Sequence, residues 1–123
     1  NLEPFNITEG AGRWTKDMYL GIRNSLHIIS FQMKKRIHIG KGGMILTNNE
    51  KSYEWLKLAS NLGRHLDKPY REDNFGMVGW NMYMTPEDAA RGIIIMDNTP
   101  TMNDDSHDYE HYTDLSEQGV FGG

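Results

Sequence analysis

The sequence predicts an α/β fold from three observations. Two short runs of apolar and β-branched residues, 26–31 (LHIISF) and 43–47 (GMILT), have the composition of strands. Two longer segments with helix-start residues follow them, separated by an aromatic-rich loop at residues 69–80. Strands and helices in this order fit one α/β domain, which is also the size that 123 residues favour.

The predicted strands begin with a short segment at residues 4–8. The runs at 26–31 and 43–47 are expected to be buried on both faces, because their apolar residues are nearly continuous. The segment between them, residues 32–42 (QMKKRIHIGKG), is too charged for a core strand and too rich in glycine for a stable helix. It is predicted to be a loop between buried strands, where rigid scaffolds often carry function.

The first predicted helix spans residues 50–62. Asn48 or Asn49 can cap it, and Gly63 can end it by taking the left-handed conformation. The face predicted to pack consists of Tyr53, Leu56, Ala59 and Leu62.

The second predicted helix runs towards Asp97. Thr85 is its expected cap, and Pro86 fits the first helical position, where its missing N–H is not needed. Glu87 and Asp88 then favour the positive end of the helix dipole.

Composition excludes several classes of function. Thirteen Lys and Arg against 17 Asp and Glu give a net charge of -4, which disfavours general nucleic-acid binding. The absence of cysteine excludes disulfide scaffolds, thiolate zinc sites and cysteine nucleophiles. No apolar stretch approaches the roughly 20 residues that span a bilayer, and no charged-then-apolar leader opens the chain. We expect a cytoplasmic protein without nucleic-acid or membrane partners, and Asn1 as first residue suggests a processed product or a fragment.

A basic cluster, Lys34, Lys35, Arg36 and Lys41, lies in the predicted loop. It could contact nucleic acid, although four charges in an acidic chain make a small footprint. It could be a solvated surface, which is the default interpretation. It could also include a catalytic lysine, because burial or neighbouring cations favour the nucleophilic neutral amine.

Residues 98–123 are predicted to be an acidic, irregular tail, since nothing after Arg91 is Lys or Arg. Within it, His107, Glu110 and His111 match the H-x-x-E-H pattern of inverted zinc peptidases. On a helix the two histidines would share one face and could bind zinc, with the glutamate as base. The stretch has almost no apolar residue with which to pack, so a zinc hydrolase is a minor alternative.

Three motifs in the chain occur in a specific order. Residues 9–12 are E-G-A-G, residues 30–35 are S-F-Q-M-K-K with G-K-G-G-M at 40–44, and residues 79–90 are G-W-N-M-Y-M-T-P-E-D-A-A. They resemble motifs of the DegT/DnrJ/StrS family of sugar aminotransferases, which use pyridoxal phosphate (PLP). The family patterns are an acid with two small residues and His or Gln, S-F-x-x-x-K with G-x-G-G-x, and G-x-N-x-R-M-(S/T)-x-(E/D)-x-A-A.

The resemblance implies the three-layer α/β fold of type I PLP-dependent transferases, of which this chain would be a part. Residues 1–97 would form the later part of the PLP-binding large domain, and residues 98–123 would lead as the acidic tail towards the missing or small domain. Full members of the family are roughly three times as long, a size that implies a large and a small domain.

The resemblance also implies roles for individual residues. Lys35 would form the Schiff base with the cofactor aldehyde and then act as the general base, while Lys34 is a rival one position short of the motif spacing. Glu9 would pair with the pyridine nitrogen, and Ser30 would donate a hydrogen bond to the phosphate. Asn81 would reach the phosphate of the cofactor in the other subunit of a homodimer.

The implied reaction transfers an amino group from an amino acid such as glutamate to a nucleotide-linked keto sugar, in nucleotide-sugar biosynthesis. The chain lacks the earlier segment that holds most phosphate contacts, so we expect it to be inactive alone. The main rival is a non-catalytic interaction module that lost the cofactor, favoured by Gly12 in place of a contacting side chain. Glu9, Tyr83 and Lys41 also replace the usual Asp, Arg and Glu, whereas Lys35 argues against the dehydratase branch, which has His there.

Overall fold

The described part of the chain, residues 6–10, 12–102 and 113–119 of a computed structural model, forms a three-stranded sheet and two α-helices. The elements are β1 (Asn6–Glu9), β2 (Ser25–Ser30), β3 (Gly43–Leu46), α1 (Glu50–Ser60) and α2 (Pro86–Asn98), with 3-10 turns at Tyr70–Glu72 and Leu115–Glu117. This order matches the predicted α/β arrangement, and β1 ends one residue beyond the strand predicted at 4–8. Neither helix has the length and apolar composition that a membrane span requires within these residues.

The strands lie in the order β1–β2–β3, with β2 at the centre. β1 runs parallel to β2, and Glu9 is paired with Ile28. β3 runs antiparallel to β2, and Gly43 is paired with Ser30. Because parallel strands end on the same side of a sheet, the segments that follow β1 and β2 leave from one common end.

The core centres on the loop between β2 and β3. Ile29, Phe31, Ile37 and Ile39 are buried and form one cluster. Ile37 is 1% exposed and Ile39 2% exposed, although both belong to residues 32–42. The prediction of a loop is confirmed there, but its part in the core was not predicted. Ile37 and Ile39 are two positions apart, so an extended backbone places both on the same side of the loop. The charged residues around them made this alternation hard to recognise in the sequence.

The prediction that the two central runs are buried on both faces is wrong. In β2 only Ser25, His27 and Ile29 are buried, and the alternate residues are half-buried. In β3 exposed and half-buried positions alternate, with Ile45 43% exposed. Ile45 and its paired residue Ile28 line an open groove, so the second face of the sheet is only partly covered.

α1 begins where the sequence predicts. Asn49 is the cap, because its side-chain oxygen accepts a hydrogen bond from the backbone N–H of Ser52 at 2.9 Å. Within the predicted packing face Ala59 is buried and Leu56 half-buried, but Tyr53 is 52% exposed. The buried face is therefore narrower than predicted, since the groove beside it is open.

Tertiary hydrogen bonds set the end of α1. The helix ends at Ser60, before the predicted end at Leu62. Leu62 and Gly63 have φ of 61° and 76°, in the left-handed region. The N–H of Leu62 donates to the carbonyl of Trp80 at 3.0 Å, outside the helix. The glycine lies at the stop as predicted, but Leu62 has already left the helical path.

α2 follows the prediction closely. The hydroxyl oxygen of Thr85 accepts a hydrogen bond from the N–H of Asp88 at 3.2 Å, and Pro86 occupies the first turn. Gly92 is the buried residue of this helix, and a Cβ there would lie 2.6 Å from Cδ1 of Ile39. The absence of a side chain at this position lets α2 pack closely on the loop between β2 and β3.

We predict that Gly79→Ala destabilises the fold and that Gly76→Ala does not. A Cβ at Gly79 would lie 2.6 Å from the carbonyl carbon of Leu62, whereas a Cβ at Gly76 would have no neighbour closer than 3.9 Å. Overpacking against backbone should lower the free energy of unfolding by about 1–3 kcal/mol. Urea denaturation of both variants tests this, and equal stabilities would contradict it.

Candidate functional site

Glu9 and Ser30 are the last residues of two neighbouring parallel strands. Glu9 is exposed and Ser30 is half-buried. Beyond Glu9, the N–H of Gly10 donates to the carbonyl of Ile28 at 2.9 Å, which extends the pairing past the strand. Both residues therefore lie at the carboxyl end of the sheet, where α/β proteins commonly bind ligands.

The chain after Ser30 makes a tight turn at Gln32. The N–H of Lys35 donates to the Gln32 carbonyl at 2.8 Å, and the N–H of Lys34 donates to the Gln32 side-chain oxygen at 2.8 Å. The N–H of Gln32 reaches the Ser30 hydroxyl at 3.3 Å. Lys34 is exposed and Lys35 is half-buried. Partial burial leaves Lys35 fewer orientations, so less entropy is lost when its amine binds a ligand.

Two backbone hydrogen bonds close the lysine loop, residues 31–42, at its base. The N–H of Phe31 donates to the Gly42 carbonyl, and the N–H of Gly40 donates to the Phe31 carbonyl, both at 2.9 Å. Gly40 and Gly42 have φ of 131° and 91°, which glycine adopts without strain. The glycines of the G-K-G-G segment thus have a conformational role, which is to return the chain into β3.

Asn81 lies on a separate segment beside the end of α1. It forms an antiparallel bridge with Asn61, and the N–H of the preceding Trp80 donates to the Ala59 carbonyl at 2.7 Å. Asn81 is exposed. The structure thus brings Glu9, Ser30 and Lys35 to one sheet end, while Asn81 lies on a different segment that pairs with the end of α1.

A His–Asp pair holds the loop that leads to Asn81. The side chain of Asp73 is 0% exposed; it accepts a hydrogen bond from the N–H of His65 at 2.9 Å and contacts Nδ1 of that ring at 2.7 Å. The side-chain hydrogen bond with His65, then its backbone N–H and the charge of Arg64, lower the pKa of Asp73. The guanidinium of Arg64 also lies 5.0 Å from the ring centroid of Tyr70.

An apolar groove of about 730 Å³ lies between the sheet, α1 and the segment at 80–84. Ile28, Ile45, Trp55 and Met84 are among its lining residues. None of the four predicted site residues lines it. The predicted chemistry and the apolar groove are therefore separate features of the fold.

The zinc alternative falls on residues that the structure does not describe, because His107, Glu110 and His111 lie within 103–112. Among the described residues, no group of three or more His, Asp or Glu is arranged to hold a metal ion. The zinc hypothesis stays a prediction.

Comparison with known proteins shows the family of this chain. The model of the DegT/DnrJ/EryC1/StrS aminotransferase family matches residues 7–117. The chain belongs to this family. A solved structure from Bacillus cereus ATCC 10987, assigned as a PLP-dependent aminotransferase, is 27% identical, with a TM-score of 0.60 over 74% of this chain and 24% of that chain. No curated protein matches the sequence.

The aminotransferase match confirms the predicted family and the type I fold, of which this chain forms a partial domain. The chain spans about a quarter of the length of the solved relative. The division of the chain at residues 97 and 98 and the roles of the four site residues stay predictions.

The side chains at this sheet end carry the kinds of group that PLP would require. Glu9, which is exposed, has a carboxylate that would suit the ring nitrogen. The hydroxyl of Ser30 accepts from the N–H of Gln32, and its own hydrogen would suit a phosphate oxygen. Lys35 lies a few residues further on, at a turn closed by its hydrogen bond to the Gln32 carbonyl, and has the primary amine that the aldehyde would require.

Sequence reasoning missed the residues that support this site. Ile37 and Ile39 anchor the lysine loop in the core, and only their alternation in R-I-H-I could have indicated it. Asp73 is fixed by His65 across a loop, and Arg91 contacts the lysine loop from α2. No local pattern indicates either contact, because the partners are distant in sequence or lie in irregular structure.

We predict that Asp73→Asn destabilises the protein at neutral pH and less so in acid. The hydrogen bonds from His65 lower the pKa of Asp73 in the folded state, so the folded chain binds this proton less tightly than the unfolded chain does. The stabilisation is complete above about pH 5 and is lost as the pH falls below the unfolded value towards the folded one.

Urea denaturation of the wild type and the variant between about pH 7 and pH 3 measures this difference. Asp67→Asn, at an exposed position on the same loop, is the control and should have little effect. A gap between wild type and Asp73→Asn that stays constant with pH would contradict the prediction.

Proposed function

We propose that this chain carries the lysine-bearing part of the cofactor site of a PLP-dependent aminotransferase. The reaction transfers an amino group from an amino acid such as glutamate to a nucleotide-linked keto sugar, in nucleotide-sugar biosynthesis. The observation that carries the proposal is the placement of Glu9, Ser30 and Lys35 at one end of two parallel strands, in a chain of an aminotransferase family.

Three residues hold the cofactor in this proposal, and each uses a different group. The amine of Lys35 would hold the aldehyde carbon covalently, with loss of water. The carboxylate of Glu9 would accept a hydrogen bond from the ring N–H and favour the protonated ring, and the hydroxyl of Ser30 would donate to the phosphate. PLP, when bound, supplies an electron sink that stabilises negative charge on the substrate carbon.

Lys35 has a second task in the reaction. As the free amine, its Nζ would take the proton from the substrate Cα and hold it. The amine acts at high effective concentration, because the backbone of its loop is closed by the bonds between Phe31, Gly40 and Gly42. Lys34 is exposed on the adjacent position and serves as a solvated neighbour.

The proposal includes a homodimer in the cytoplasm, in which Asn81 serves the cofactor phosphate of the partner subunit. The exposure of Asn81, on a segment that pairs with the end of α1, supports this arrangement. It also includes the inactivity of the chain alone. The chain corresponds to 24% of the solved relative, which supports the inactivity of this part by itself.

A non-catalytic interaction module is the second candidate function. Gly12 stands where the family has His or Gln and removes one contact with the cofactor. β1 is exposed at every position, which leaves a strand available for pairing. Such a module would fold and associate without taking up PLP.

We predict that PLP can be trapped on Lys35. The chain is mixed with excess PLP, scanned for visible absorbance, reduced with borohydride and mapped by peptide mass. Label on Lys35 should exceed label on Lys51, an exposed lysine in the first turn of α1, by roughly tenfold, the equivalent of one well-placed hydrogen bond. Lys35→Ala should abolish the excess, and Lys34→Ala should retain it.

Three outcomes separate the candidates. Excess label on Lys35 supports the proposal, and excess label on Lys34 supports the aminotransferase with its catalytic residue one position earlier. Label on both lysines at the level of Lys51 would overturn the proposal and favour the interaction module. Substrate turnover by the 123-residue chain would contradict its predicted inactivity.

A further inference from the structure

Arg91 connects α2 to the lysine loop. Its Nη2 donates to the carbonyl of Ile39, 52 positions earlier in the sequence. The same nitrogen contacts Oδ1 of Asp88, one turn earlier on α2, at 3.0 Å. The guanidinium thus bridges the helix and the loop that carries Lys35.

Of these two contacts, the bond to the carbonyl has the greater structural effect. The pair with Asp88 is spaced i, i+3 on a helix surface, where the side chain of Arg91 is 56% exposed, and exposed pairs of this kind contribute little. The carbonyl of Ile39 belongs to a residue that is 2% exposed, and a guanidinium donor makes a charge-assisted bond to it.

The bond lies where the lysine loop turns back. Gly40, the next residue, donates to the Phe31 carbonyl at the base of the loop and has φ of 131°. A second contact supports the same point, because Gly92 packs against Ile39. α2 therefore holds the return half of the loop through two successive residues, and the turn at Gln32 holds the half that carries Lys35.

We propose that Arg91 is a positioning residue for Lys35. By holding the Ile39 carbonyl it keeps the lysine loop in the one closed arrangement that leaves Lys35 half-buried and Lys34 exposed. It does not touch the reacting atoms. This inference rests on the proposed function, because it states that Arg91 determines which of the two adjacent lysines, Lys34 or Lys35, binds PLP.

Arg91→Met tests the proposal, since methionine keeps an unbranched stem and helix propensity but loses every donor. The first readout is amide hydrogen exchange without PLP. The amides of Gly40 and Lys35 should exchange roughly tenfold faster, the equivalent of one charge-assisted hydrogen bond, while that of Leu62, bonded to Trp80, should not change.

The second readout is the ratio of label on the two lysines, which a general loss of stability would not change. After PLP trapping, the ratio of label on Lys35 to label on Lys34 should fall by roughly tenfold in Arg91→Met, in parallel with the exchange. Arg91→Lys keeps one charged donor and should restore part of the ratio. Asp88→Asn removes the negative charge of the other partner of Arg91 and should leave both readouts at the wild-type values.

The outcomes distinguish this inference from the proposed function. Absence of preferential label on Lys35 and Lys34 in the wild-type chain overturns the proposed function and the role of Arg91 with it. Preferential label in the wild type with an unchanged ratio in Arg91→Met overturns the inference alone. The inference is also overturned if amide hydrogen exchange in the lysine loop is unchanged in Arg91→Met, or if Asp88→Asn lowers the label ratio as Arg91→Met does. Faster exchange at Gly40 and a lower ratio, partly rescued by Arg91→Lys, support it.

Discussion

The rest of the structure depends on the closure of the lysine loop at its base. The loop leaves β2, buries two isoleucines and leads into β3, which runs antiparallel to β2. Phe31 forms both bonds at the base, one to Gly42 and one from Gly40. Ile37 and Ile39 fill the space that the loop encloses. Without the closure β3 would not pair with β2, α2 would lose the surface on which Gly92 packs, and the lysines would have no fixed position.

The candidate catalytic lysines and part of the hydrophobic core therefore lie in the same segment of the chain. Residues 34–36 are charged, and the next apolar residues, Ile37 and Ile39, are among the most buried side chains described. Burial on one side of the loop fixes the backbone, so that a charged side chain a few residues away has a defined place at low entropic cost. Arg91 adds a polar contact to the same arrangement from a helix that is distant in sequence.

The carboxyl end of the sheet is polar, whereas its second face is apolar and open. The carboxyl ends of β1 and β2 carry Glu9, Ser30 and the lysine loop. The second face borders an apolar groove, and β1 is exposed along its length. In a larger α/β domain, neighbouring strands pair with open edges and helices cover apolar sheet faces. The open features of this sheet therefore agree with a chain that spans about a quarter of its solved relative.

The sequence by itself determined the local elements, the family and the candidate residues. The caps at Asn49 and Thr85 and the strand at residues 26–31 follow from short-range chemistry, which is encoded within a few neighbouring residues. The motif spacing likewise indicated Glu9, Ser30, Lys35 and Asn81. Only the tertiary structure decided which faces are buried, where α1 ends and what holds the lysine loop. Those features arise from contacts such as Leu62 with Trp80 and Arg91 with Ile39, whose partners are brought together by folding and leave no local pattern in the sequence.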